Sequence, residues 1–175
     1  ARKYKTLSHK YLPDYDAWIW MDNSCIFQYH PRDLFDYYMN GYDMCVHEHC
    51  DRTSIIDEAR IILEYKLDDP DIVNLQLTRY LNNGYQETGL YETGILMRRN
   101  TNEMIKFNEQ WWHEISNNSI RDQLSFPYVL WENPEVSLFS IKETFVAHQS
   151  ALNKKKSEHF STVPKNIIKL HEDNL

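Results

Sequence analysis

Three acidic residues stand at the ends of apolar or periodic segments: Asp22, Glu92 and Asp122. Asp22 closes the apolar run AWIWM at 17–21. In an open α/β sheet ligands sit outside the carboxyl ends of the strands, and an acid placed there can hold a metal ion or a ribose hydroxyl. Asp22-Asn23-Ser24 also reads as a plain turn, since all three residue types favour turns. Glu92 lies near the start of the strand-like stretch GLYETGILMRR, and Asp122 in the first turn of a helix beginning near Ile120. If these ends share one edge of a sheet, the three carboxylates share a cleft. A metal bridging a diphosphate, with a carboxylate that takes a proton from an alcohol, is sufficient for glycosyl or phosphoryl transfer. The bland alternatives are a first-turn acid favoured by the helix dipole for Asp122 and an ion pair with Arg98 or Arg99 for Glu92.

His47 and His49, one residue apart at the end of an apolar run, would point to the same face of a strand, where a metal could use both. His148, in FVAHQS beyond the last expected strand, could return to the same cleft as a metal ligand. Cys25, Cys45 and Cys50 are an odd number without regular ligand spacing, so neither a disulfide framework nor a zinc site is favoured. A reducing, cytoplasmic compartment is the simpler expectation.

Positioning these groups requires alternating elements. The spacing predicts helices over 4–12, 33–39, 53–67, 71–81, 101–115 and 120–131, and strands over 17–21, 25–29, 42–47, 89–98 and 136–141. The run at 17–21 suits a strand buried on both faces. The expected class is α/β in one domain over 1–150, with 151–175, which carries Lys154-Lys155-Lys156, as a loosely attached tail. The hydrophobic content of 42% over 175 residues suffices for a core, and 12 Tyr, 7 Phe and 5 Trp supply much of it as rings. A net charge of −7 argues against broad nucleic-acid binding, which needs a basic footprint. No apolar run is long enough to span a membrane. With four Gly and no GxGxxG or GxxxxGK[ST], the common phosphate-cradling fingerprints are missing.

DYDAWIWMDNS, HEHCDRTSIIDEA, GLYETGILMRRN and, most specifically, FNEQWWHEISNNSIRDQLSFPYVLW resemble the glycosyltransferase-like domain of the plant mucilage and turgor-regulation type, over about 3–131. The resemblance implies a GT-A glycosyltransferase: a Rossmann-like, mainly parallel α/β sheet using a nucleotide-sugar donor and a divalent cation, manganese or magnesium. It places Asp22 at the first acid of the DxD signature and Ser24 where the second acid would stand. It makes His148 a metal ligand beside Asp22. It sets Asp122-Gln123 at the donor sugar, Glu92 on the acceptor side, and His49, Arg52 and Glu58 in one block with Arg52 facing the diphosphate. Such a domain normally begins with a strand and loop that grip the nucleobase, yet only about 20 residues precede Asp22. Either that half has been cut away or the domain works without it.

The expected activity is sugar transfer from a nucleoside diphosphate donor to a carbohydrate or other hydroxyl acceptor, with Asp122 or Glu92 as base if the anomeric centre inverts. A non-catalytic carbohydrate-binding or scaffold protein is the rival, favoured by Ser24 and by the short N-terminal stretch. A metal-dependent hydrolase is a third reading.

Overall fold

The structure is a computed structural model that describes residues 1–27 and 29–142 and the backbone of 146–148. The expected tail at 151–175 lies outside the described residues. The chain opens on two short helices, α1 (Arg2–Thr6) and α2 (Ser8–Tyr11), instead of the single helix expected over 4–12. Leu7 breaks them apart, and the Lys5 and Thr6 carbonyls turn from helix bonding to the guanidinium of Arg98. There follow β1 (Ala17–Met21), β2 (Cys25–Phe27), α3 (Pro31–Tyr38), β3 (Met44–Glu48), α4 (Ile55–Glu64) and α5 (Pro70–Asn82). The chain continues with β4 (Tyr91–Arg99), α6 (Asn102–Asn117), α7 (Asp122–Glu132), β5 (Leu138–Ile141) and β6 (Val146–His148).

The helix starts follow local chemistry. Ser54 takes the N–H of Asp57 ahead of α4, Asp69 those of Asp71 and Ile72 ahead of Pro70, and Thr101 that of Met104. The cap of α4 is thus Ser54, one residue beyond the start expected at Thr53.

One sheet has the strand order β1-β4-β3-β5, and β2 pairs with β6 in a second, small one. β4 runs antiparallel to both β1 and β3, while β5 runs parallel to β3. Two of these three pairings are antiparallel, which corrects the expectation of a mainly parallel sheet. The cause is the reversed β4, inserted between β1 and β3. Because it is reversed, its first residues lie at the carboxyl ends of its neighbours: Met21 is opposite Ile95, and Glu48 opposite Tyr91.

Alternate residues of the central strands feed two cores. Met44, Val46 and Leu96 face Ile55, Ile62, Tyr80, Phe107, Trp111 and Phe126 of the helices α4 to α7. Cys45, Ile95 and Met97 face Leu34 and Tyr38 of α3. The strands buried on both faces are therefore β3 and β4. β1, expected to be such a strand, is an edge strand among the described residues, and its Met21 is 37% exposed. Its rings are covered in part by the preceding chain, where the Trp18 indole donates to the Leu12 carbonyl at 3.2 Å. No helix among the described residues is long and apolar enough to cross a membrane.

Candidate active site

The reversed β4 gathers the three acids. Asp22 extends the β1 ladder by one bond, its N–H donating to the Gly94 carbonyl at 2.8 Å, and the next turn closes with the Cys25 N–H on the Asp22 carbonyl. Asp122 opens α7, held by the Trp111 indole, which donates to the Asp122 carbonyl at 3.2 Å. Trp111 is fully buried, so the first Trp of the WW pair anchors this helix end to the core. A cleft of about 450 Å³ lies between these elements, lined by Asp22, Glu92 and Asp122 together with Arg2, Lys5 and Arg121. Gln123, Thr93, Gly94 and Trp20 also line it. Its size is that of a small-molecule site.

Each carboxylate is treated differently. Asp122 Oδ2 receives the Lys5 ammonium at 2.5 Å and the Thr93 hydroxyl at 3.0 Å. Burial opposes its ionisation, but Lys5, Arg2 and the Thr93 hydroxyl outweigh it and hold the carboxyl below its ordinary range. Asp122 is thus a fixed anion and a weak base. Asp22 Oδ1 accepts the Trp20 indole N–H at 2.7 Å. A Cβ at Gly94 would meet its Oδ2 at 3.7 Å, so the glycine leaves the space before that oxygen open. Glu92 is half-buried and, among the described residues, takes its one hydrogen bond from the Cys50 thiol at 3.2 Å. It forms no pair with Arg98 or Arg99. Arg98 is spent on the Lys5 and Thr6 carbonyls, Ser8 and Asn108, and Arg99 on the Met39 and Tyr42 carbonyls.

The cations are equally uneven. Lys5 is 3% exposed and consumed by Asp122 and Thr93. Arg2 Nε lies 4.0 Å from Asp122 Oδ1, beyond hydrogen-bond range. The Nε donors of Arg2 and Arg121 are both buried and without a partner among the described residues. Such donors favour an anionic ligand.

The family model of TOD1/MUCI70, glycosyltransferase-like domain, matches residues 2–157. The chain belongs to this family. No curated protein and no solved structure matches it.

Four of the residues expected at the TOD1/MUCI70 site line the one cleft: Asp22, Glu92, Asp122 and Gln123, whose amide donates to the Tyr91 carbonyl at 3.3 Å. Four others, Ser24, His49, Arg52 and Glu58, stand outside its lining. Ser24 is exposed in the turn after β1. Arg52 is turned to Glu58 at 2.9 Å and to His49 Nε2 at 2.6 Å. Glu58, 1% exposed, braces this loop through Arg52. The side chain of His148 lies outside the described residues. Its backbone stands opposite Cys25 in the β2–β6 pair, three residues from Asp22 in sequence on the facing strand. His49, Cys50 and Glu92 place one ligand atom each within 4.8 Å of one another. Sequence reading missed Arg2, Lys5, Thr93, Arg121 and Cys50. Arg121, next to Asp122, and Cys50, next to His49, carried a local signal.

Proposed function

We propose that this domain transfers a sugar from a nucleoside diphosphate donor to a hydroxyl acceptor, on a GT-A-like sheet. The convergence of three carboxylates and two unpartnered guanidinium Nε donors on one cleft carries this reading. It accords with the family's glycosyltransferase-like description. β1, β3 and β5 run in the same direction, so the cleft sits at their carboxyl ends, where open α/β sheets hold ligands.

In this reading Arg2 and Arg121 hold the diphosphate, which supplies the acceptors that their Nε atoms lack. Asp122, kept ionised by Lys5, accepts hydrogen bonds from donor-sugar hydroxyls, with Gln123 beside it. Glu92, with a single thiol contact, faces the acceptor. In an inverting transfer its carboxylate takes the acceptor O–H proton while that oxygen bonds to the anomeric carbon and the anomeric carbon–phosphate oxygen bond breaks. The pair of electrons leaves with the nucleoside diphosphate.

The residues around Asp22 suit a magnesium or manganese ion. Asp22 Oδ2 faces open space at Gly94, and β6 sets His148 opposite Cys25. Asp22 would hold the ion, which when bound supplies positive charge to the leaving diphosphate.

The test is thermal unfolding with a panel of nucleoside diphosphates and their sugars, each with and without manganese. A ligand that binds only the native state raises the melting temperature, by the equivalent of about 2.7 kcal/mol at a hundred times its dissociation constant. A rise with one base supports the transferase and names its donor. Sugar binding without any nucleotide effect supports the non-catalytic carbohydrate-binding protein instead.

A further inference from the structure

The end of β3 brings a second set of ligands to the rim of the cleft. The β3–β4 register shifts between Val46 and His47, so that His47 stands opposite Glu92. The ladder nevertheless continues, since the His49 N–H donates to the Leu90 carbonyl at 2.8 Å. A bulge of this kind re-aims side chains at a strand end. Here it sets an imidazole and a thiol from one strand's end beside a carboxylate from the next.

We propose that His49, Cys50 and Glu92 form a binding site for a thiophilic divalent cation, zinc before all others. Their ligand atoms already lie within 4.8 Å of one another. Cys50 Sγ and Glu92 Oε1 are 3.2 Å apart. Zinc with a sulfur at about 2.3 Å and an oxygen at about 2.1 Å sets two tetrahedral ligands roughly 3.5 Å apart, so this edge is nearly formed. The imidazole completes the set within the 4.8 Å that bounds all three ligand atoms. A sulfur, a nitrogen and an oxygen select zinc over magnesium or manganese, which take oxygen ligands. Cys50 is exposed, so solvent supplies the entry path and a water in the fourth position.

The present contacts of His49 conflict with one another. Its ring faces the Arg52 guanidinium at 2.6 Å and the backbone N–H groups of Asp51 and Arg52 at 3.1 and 3.2 Å. A neutral imidazole has one lone pair, so it cannot accept at both nitrogens. Turning toward the cation removes that conflict: Glu58 already holds Arg52 at 2.9 Å, and water reaches the donor on Asp51, which is exposed. On binding, the proton that Cys50 gives to Glu92 is released to solvent as the thiolate bonds to the metal.

The site stands whatever reaction the cleft performs. Its consequence for catalysis rests on the proposed function: zinc here would occupy the carboxylate that takes the acceptor proton.

Cobalt titration of the full 175-residue chain tests the binding without any sugar. Expected is a near-ultraviolet thiolate-to-cobalt band that saturates at one equivalent and is displaced by zinc but not by manganese. Cys50→Ser, at an exposed position where folding is retained, should lose the band and weaken zinc binding at least about tenfold, as measured against a chromophoric chelator. No band in the unaltered chain, or a band that survives Cys50→Ser, overturns the proposal. Zinc binding with no nucleotide effect in the melting panel would leave this site standing and remove the transferase reading.

Discussion

On the α1–α7 side of the cleft the Asp122 carboxylate is answered by an ammonium and a hydroxyl, both from residues buried in the fold. On the β3–β4 side Glu92 has one thiol for company, and that thiol is exposed. A saturated charge fixes geometry and gives up reactivity, since its ionised form is already stabilised. An under-coordinated one keeps a lone pair for a substrate or a metal. Asp122 and Glu92 both line the cleft, and their surroundings assign them different work.

The largest expected effect falls on the open side. Glu92→Gln keeps size and removes the basic oxygen, so transfer should drop at least about a thousandfold, or roughly 4 kcal/mol of barrier. Stability by urea unfolding should move by no more than about 0.5 kcal/mol, because the side chain is half-buried and takes a single thiol hydrogen bond among the described residues. Full turnover in this variant would dissolve the contrast between the two carboxylates. On the closed side the order reverses. Lys5→Met leaves the Asp122 anion buried without its cation, at a cost of about 3 kcal/mol in urea unfolding. Adding Asp122→Leu should restore part of that loss while leaving the nucleotide-sugar shift abolished.

The closed pair also has a pH signature. The Asp122 carboxyl is held below its ordinary range, so the folded protein binds this proton less readily than the unfolded chain. Its stabilisation is full above the ordinary carboxyl value of about 3.9 and is lost as pH falls through the lower native value. The stability gap between the unaltered chain and Asp122→Asn should therefore narrow between neutral pH and strong acid. A gap that stays constant would mean that the ion pair contributes nothing through its charge.

The two sides differed in legibility for the same reason. Asp22, Glu92 and Asp122 were readable because each sits at an element end, and the spacing located nearly every element. The reversal of β4 was not readable, although it is what brings Glu92 to the carboxyl ends of β1 and β3. Strand direction is set by a pairing across the sheet, which periodicity does not carry. β1 looked doubly buried because its Trp and Ile resemble a central strand, yet the partner on its second side is absent among the described residues. Lys5 lies in the helix expected over 4–12, and nothing beside it in the sequence marks it. Its burial depends on Asp122, 117 residues away. Cysteine spacing likewise gave no metal signal, because the partners of Cys50 are its neighbour His49 and a carboxylate across the β-ladder.

The smallest expected effect separates space from charge. Gly94 lines the cleft between Asp22 and Cys25, and an added Cβ would meet Asp22 Oδ2 at 3.7 Å and Cys25 Sγ at 3.8 Å. Both are ordinary contacts, so Gly94→Ala fits without displacing either neighbour. A glycine inside a strand loses more conformational freedom on folding, so the alanine should raise stability by about 0.5 kcal/mol. The same methyl occupies the space before the carboxylate oxygen that the Trp20 indole does not use. Nucleotide- and manganese-dependent rises in melting temperature should therefore shrink as the unliganded protein becomes more stable, whereas cobalt binding at His49, Cys50 and Glu92 should be retained. Undiminished nucleotide binding in Gly94→Ala would move the diphosphate away from Asp22 and leave Arg2 and Arg121 as its sole holders.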